Sequence, residues 1–379
     1  MLRRFAVDSP KARSKLAAAV AKSVDGRIVR NAVLHVDSPR TGIRGTWANG
    51  IADERNGRPM RPDTPFLSAS VGKIVMAATA FDLAAARAID VDAPIATWIA
   101  KSVLKGLPVA GGEQAVEQIT ARMLMANRSG LPDYFNSDMH PSADGAPGLV
   151  ELMLAEPQRT WSRAQLVGYA RDHYKAFAAP GNKFLYSDLN WDLLGMVFEG
   201  ATQRPFHQVV HERVLDPLGM THTWYHVFEP APEGAGHFAD TFSGDTNLAG
   251  LPCLTLDQAG GGLATTAEDL GKLMRGLKAG RPVGLDLLGS DWSEDAIRRG
   301  LDYGYGTWRW RPGRMFFALW QLPHLIGVSG SNNSYAYVTG TGDVVTGTMN
   351  QMDHPSRHVK FVLSTVLPVL ARARERRPE

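Results

Sequence analysis

Segments that alternate apolar and polar residues lie near both ends of this 379-residue chain, with a long stretch of helical pattern between them. No other feature constrains the fold as strongly, because strands from both ends share a buried face most simply by joining one sheet. Residues 28–36 and 43–51 read as a strand pair around Asp37-Ser38-Pro39-Arg40. After about Gly300 the alternation returns: residues 303–310 and 315–320 flank Pro312-Gly313, and residues 335–339 and 344–350 flank a Gly-rich turn. From about residue 84 to 277 the pattern is helical, broken by Gly/Pro loops, with no internal repeat and no low-complexity tract. An amphipathic helix over 9–25 precedes the strands, and a last helix over about 356–376 is interrupted by Pro368. The expected architecture is a discontinuous α/β domain, residues 1–83 and 285–379, carrying a mainly helical domain, residues 84–284.

Composition narrows the class. With 44% hydrophobic residues the chain can bury a large core. Its net charge of +3 is mild, and part of the excess sits in the tail Arg372-Ala373-Arg374-Glu375-Arg376-Arg377, a solvated helix end, so nucleic acid is not an expected partner. A single cysteine, Cys253, excludes an internal disulfide and any multi-cysteine metal site. No apolar run has the length of a membrane span, and the residues after Arg3 and Arg4 form no apolar signal core. A cytoplasmic protein is therefore expected, with no membrane partner. Nothing in the sequence specifies an oligomeric state.

The stretch from Phe66 to Ala80 carries the chemistry. A Pro-rich approach (Pro59, Pro62, Pro65) leads into an Ala-rich helix whose first turn is expected to hold Ser70. Lys73 lies three residues on, so a helix puts hydroxyl and amine on one face, a nucleophile beside its base. The lysine must be neutral for that role, which burial and positive potential at a helix N-terminus favour. Ser-x-x-Lys is a cheap pattern, and its second copy at Ser102 and Lys105 is assigned no role. His207 and His211 have metal-ligand spacing but lack the Glu of a zinc protease helix, so they read as an exposed helix face. No metal and no cofactor is expected. Ser329 in Gly-Val-Ser-Gly-Ser misses the last glycine of a nucleophile elbow. The loop over residues 227–251, rich in Gly, Pro, Asp and Thr, is either a functional surface loop or a mobile excursion.

Ordered motifs follow along nearly the whole chain: Phe66-Leu67-Ser68-Ala69-Ser70-Val71-Gly72-Lys73, Leu124 to Pro132, Tyr186-Ser187-Asp188-Leu189-Asn190-Trp191, Gly260-Gly261-Gly262-Leu263-Ala264-Thr265-Thr266, Tyr303-Gly304-Tyr305-Gly306 and Gly327-Val328-Ser329-Gly330-Ser331. In these the chain resembles the serine hydrolases of the class C β-lactamase and penicillin-binding group, which also holds esterases, D-amino-acid amidases and acyltransferases. The resemblance implies a β-lactamase/transpeptidase-like fold, an antiparallel sheet flanked by N- and C-terminal helices with a large helical insertion, and an active site between the two parts. It implies Ser70, Lys73 and Tyr186 as catalytic residues, the tyrosine shuttling a proton if the lysine depresses its pKa.

Two departures matter. Asp188 stands where the family's Tyr-x-Asn motif has Asn, and Val328-Ser329-Gly330 replaces Lys-Thr-Gly or His-x-Gly. The strand can still offer a backbone N–H, that of Ser331, opposite the Ser70 N–H as an oxyanion hole. What Val328 removes is a cation that favours substrate carboxylates. The expected function is therefore an acyl-enzyme serine hydrolase acting on a small-molecule ester or amide, a carboxylesterase or acyl-transfer enzyme. The alternatives are a β-lactamase or D-amino-acid amidase or peptidase, and a non-catalytic binding protein on the same fold.

Overall fold

The computed structural model describes residues 9–135 and 140–375; Arg376 and Arg377 of the basic tail lie outside them. Nine strands form the main sheet: β1 (Asn31–Ser38), β2 (Ile43–Asp53), β3 (Arg58–Pro59), β4 (Ser293–Arg298), β5 (Leu301–Tyr303), β6 (Trp308–Trp310), β7 (Leu325–Ser329), β8 (Tyr335–Thr339) and β9 (Val344–Thr348). Their order is β3-β2-β1-β9-β8-β7-β6-β5-β4, antiparallel throughout, so strands from the two ends of the chain meet where β1 pairs with β9 and Val33 faces Thr348. The segment between β3 and β4 supplies most of the helices, together with a small sheet made from Phe66–Leu67, Leu263–Thr265 and Trp224–Tyr225.

Helices cover both faces of the sheet. Pro10–Ser23, capped by the Ser9 hydroxyl and started by Pro10 at its first position, packs on β2 and on the C-terminal helix Leu367–Glu375. Ala267–Lys278, capped by Thr266, packs on β1, β8 and β9, and the Thr346 hydroxyl donates to the Ala267 carbonyl. Tyr337, one residue on from Ala336, faces the other way and meets His358 of the C-terminal helices.

Three sequence expectations need correction. Residues 315–320 are not a strand: Pro312 starts a helical turn, Pro312–Met315, followed by a 3-10 turn, Phe317–Leu319. The partner of β6 is instead β7, and Phe316, Phe317 and Trp320 stand exposed. Residues 303–310 divide into β5 and β6 around a tight turn in which Gly306 takes φ +61° and the Gly304 N–H donates to the Thr307 carbonyl. The last helix passes Pro368 without a break, because a wide π-turn, Val362–Val366, precedes it and relaxes the ladder a proline cannot complete. Among the described residues no helix is long and apolar enough to cross a membrane.

Candidate active site

Ser70 does not lie in the first turn of a helix. It occupies a 3-10 turn, Ala69–Val71, between the strand Phe66–Leu67 and the helix Gly72–Ala85, whose first turn holds Lys73. Ala69 takes φ +45°, a left-handed conformation that an alanine adopts only under constraint. The constraint comes from the turn after β7: Asn332 Nδ2 donates to the Leu67 carbonyl (2.7 Å) and Ser334 Oγ to the Ser68 carbonyl (2.5 Å). Gly330 permits this approach, since a Cβ there would sit 2.3 Å from Ser334 Oγ and 2.7 Å from the Ser68 carbonyl oxygen. The three-residue spacing still works, and Lys73 Nζ donates to Ser70 Oγ at 2.9 Å.

Tyr186 and Asp188 arrive from the start of the helix Leu189–Thr202, held there by a polar lattice. Asn127, with φ +53°, accepts at Oδ1 from Asn190 Nδ2 (2.7 Å) and from the Ser187 N–H (3.1 Å), while Ser187 Oγ donates to the Pro132 carbonyl (2.6 Å). The motif from Leu124 to Pro132 thus acts as the cradle of the tyrosine. The Tyr186 ring stacks on Trp308 with centroids 5.8 Å apart and meets Tyr303 edge-on at 5.9 Å. Its phenol lies close enough to Ser70 and Lys73 for both to favour the ionised form, yet burial outweighs them and pushes the phenol up to about 12. The depressed tyrosine expected from sequence is not what the structure shows.

Nor is the lysine neutral. Lys73 is 1% exposed and burial opposes its charge, but its Nζ donates to Asp188 Oδ1 at 2.5 Å, and attraction to Asp188, Tyr186 and Asp257 together raises its pKa above the ordinary lysine value. The Asn-to-Asp departure therefore supplies the largest of the attractions that hold the base candidate in its charged form.

Two more carboxylates crowd the site, and pattern reasoning passed over both. Asp192 is buried, accepts from the Tyr134 hydroxyl and is pushed up to about 6 by burial. Asp257 precedes the Gly260-Gly261-Gly262 run, and the glycines are there because of it and of Lys73: a Cβ on Gly261 would lie 2.3 Å from Asp257 Oδ1, and one on Gly260 3.3 Å from Lys73 Nζ. That run was the available signal. Gly306 serves in the same way on the other side, where a Cβ would meet the Lys73 carbonyl oxygen at 2.6 Å.

On the β7 side, alternation puts Val328 and Gly330 on the face toward the nucleophile turn, with Val328 only 1% exposed. Ser329 points the opposite way, to the Tyr337 phenol, and is not brought to Ser70. Ser331 stands beside the site. Among the described residues neither its N–H nor that of Ser70 has a hydrogen-bond partner, so both are free to receive an oxyanion. Ala69 and Ser331 also wall a pocket of about 40 Å³, space for roughly three waters. The long loop contributes Thr241 and Leu248 to its lining.

The remaining candidates lie elsewhere. His207 stacks on Phe228 at 5.4 Å, and His211 bridges Asp216 and Glu229, so this helix face is half-buried against its neighbours, with Gln208 and Glu212 exposed beside it. No cluster of metal-ligating side chains occurs among the described residues. Cys253 is buried and free.

A serine turn, a lysine in the helix that follows it and a tyrosine beside both are joined by a match of residues 2–367 to the family description Beta-lactamase. The chain belongs to the Beta-lactamase family of serine hydrolases. It is 33% identical over 189 residues to Esterase EstB of Burkholderia gladioli, a match covering 48% of this chain and 44% of that esterase, less than half its length. Among solved structures it superposes on the D-amino acid amidase from Ochrobactrum anthropi SV3 with a TM-score of 0.74 at 22% identity, covering 97% of this chain and 100% of the amidase. EstCE1, described as a hydrolase with promiscuous acyltransferase activity, superposes with a TM-score of 0.74 at 18% identity, covering 95% and 98%.

Proposed function

We propose that this Beta-lactamase family member is a carboxylesterase or acyl-transfer enzyme working through an acyl-Ser70 intermediate. The observation that carries the reading is the Lys73 ammonium donating to Ser70 Oγ at 2.9 Å with the Tyr186 phenol beside both. The protonation states assign the roles. Lys73 is charged and has no lone pair to offer, so Tyr186 is the base in its phenolate form, a minor population that the ammonium stabilises. Ser70 Oγ attacks the carbonyl carbon as its proton passes to the phenolate oxygen. The free N–H groups of Ser70 and Ser331 take the oxyanion. Tyr186 returns the proton to the leaving alkoxide or amine as the carbonyl re-forms, and water or another alcohol then repeats the sequence to release the acyl group.

Esters rank above β-lactams because Val328 offers no charge for a substrate carboxylate, and the relationship to Esterase EstB points the same way. Purified protein should hydrolyse short-chain p-nitrophenyl esters and accumulate an acyl adduct on Ser70 detectable by mass spectrometry, while Ser70→Ala abolishes both. Nitrocefin hydrolysis outrunning ester hydrolysis would reverse the ranking. Absence of any adduct with esters or a fluorophosphonate would favour a binding protein on the same scaffold.

A further inference from the structure

The pocket beside Ser70 is apolar along most of its wall, where Leu248, Leu254 and Leu256 lie, but Asp257 belongs to the same wall. Among the described residues that carboxylate accepts no hydrogen bond and joins no ion pair, and it is packed edge-on against Gly261. Asp257 is only part-buried, so a carboxylate that no described donor serves is left to water or to a cationic group entering the pocket, and the apolar wall gives it little else. The nearest positive charge is already committed: Lys73 Nζ sits 2.5 Å from Asp188. Asp192 adds a further negative field, so three carboxylates face one ammonium. The other titratable group of the wall, His226, is held neutral, its imidazole lowered to about 4 by burial, and brings no compensating charge.

We propose that Asp257 receives a protonated amine carried by the acyl part of the substrate, making short amino-acyl esters or amides the preferred acyl donors. This rests on the serine-hydrolase reading above and names the substrate class for the same site. The size of the pocket sets the length, since space for about three waters accepts a side group of three or four heavy atoms. Val328 and Asp257 act in one direction: the first withholds a cation from anionic substrates, the second offers an anion to cationic ones.

Two isosteric pairs test it, the methyl esters of alanine and 2-methylpropanoic acid, and those of 3-aminopropanoic and butanoic acids, assayed at pH 7.5, where Asp257 (pushed up to about 7 by burial) is mostly ionised and both amines are mostly protonated. The wild-type protein should favour the ammonium member of at least one pair tenfold or more in kcat/KM. Asp257→Asn should cut that preference at least tenfold, and Asp257→Glu should restore part of it. Preference for the hydrocarbon member in both pairs, or an unchanged preference in Asp257→Asn, overturns the proposal. If Asp257→Asn does not fold, competition in the wild-type protein decides: propylammonium should inhibit methyl butanoate hydrolysis at least tenfold more strongly than 1-propanol, and equal inhibition overturns it. Turnover of the neutral esters through Ser70 without regard to charge defeats this inference alone, whereas four esters untouched by wild type and Ser70→Ala alike defeats the hydrolase reading itself.

Discussion

Replacing Asp188 by Asn should change which group acts as the base. The carboxylate sits 2.5 Å from Lys73 Nζ, with the lysine 1% and the aspartate 16% exposed in their side chains. At an effective dielectric of about 20, two unit charges at that separation attract by about 6–7 kcal/mol, a ceiling of about five pKa units on what Asp188 contributes. Burial opposes the ammonium, so its loss of this partner takes Lys73 down toward neutrality in the ordinary working range. In the wild-type protein the base is Tyr186, pushed up to about 12, and only about one phenol in 10⁵ is ionised at pH 7. Its kcat/KM for p-nitrophenyl acetate should therefore climb about tenfold per pH unit from pH 6 to 9. In Asp188→Asn a neutral Lys73 amine takes the Ser70 proton and the profile should level off in the neutral range, so the mutant-to-wild-type ratio falls as pH rises. A lysine Cε carbon signal that titrates several units lower in the variant would confirm the cause. If the two pH profiles run parallel and the lysine signal does not move, Asp188 does not control the charge of Lys73 and the assignment of Tyr186 as base fails.

Other consequences follow from the same geometry. Ser334→Ala takes away one of the two donors to the buried Ser68 carbonyl and leaves only the Val71 N–H, which should cost about 1 kcal/mol of unfolding free energy in denaturant titrations; with the Ala69 conformation less well braced, kcat should fall more than KM rises. Asp192 has a folded pKa raised to about 6 from 3.8, so the native state binds the extra proton and its share of stability, about 3 kcal/mol, is complete below pH 3.8 and lost as pH rises through 6. Asp192→Asn should therefore gain on wild type across that window in thermal melts and stay level above it. Trp308→Ala removes the ring stacked on Tyr186 and should lower kcat by an order of magnitude or more while leaving acylation by a fluorophosphonate detectable.

The parts of this site that were legible in the sequence are those fixed by local spacing. Ser70 and Lys73 three residues apart share a face whether the serine sits in an α-helix or, as found, in a 3-10 turn just before one. Alternating patterns near the two chain ends specified a shared sheet, because a half-buried strand needs a partner and the intervening residues offered none long enough. The aromatic run at 315–320 misled because Phe316, Phe317 and Trp320 stand exposed around the short helical turns that follow Pro312, and an apolar run cannot say which of its side chains are wet.

Protonation was decided by tertiary structure alone. Whether Lys73 is neutral and Tyr186 acidic depends on how many charges converge within a few ångströms and how much water is excluded, and Asp188, Asp192 and Asp257 reach that point from 115 to 184 positions further along the chain than Lys73. Residue type and spacing name the groups that can react. Their distances and burial, set when the helical segment closes on the sheet, determine which of them holds the proton.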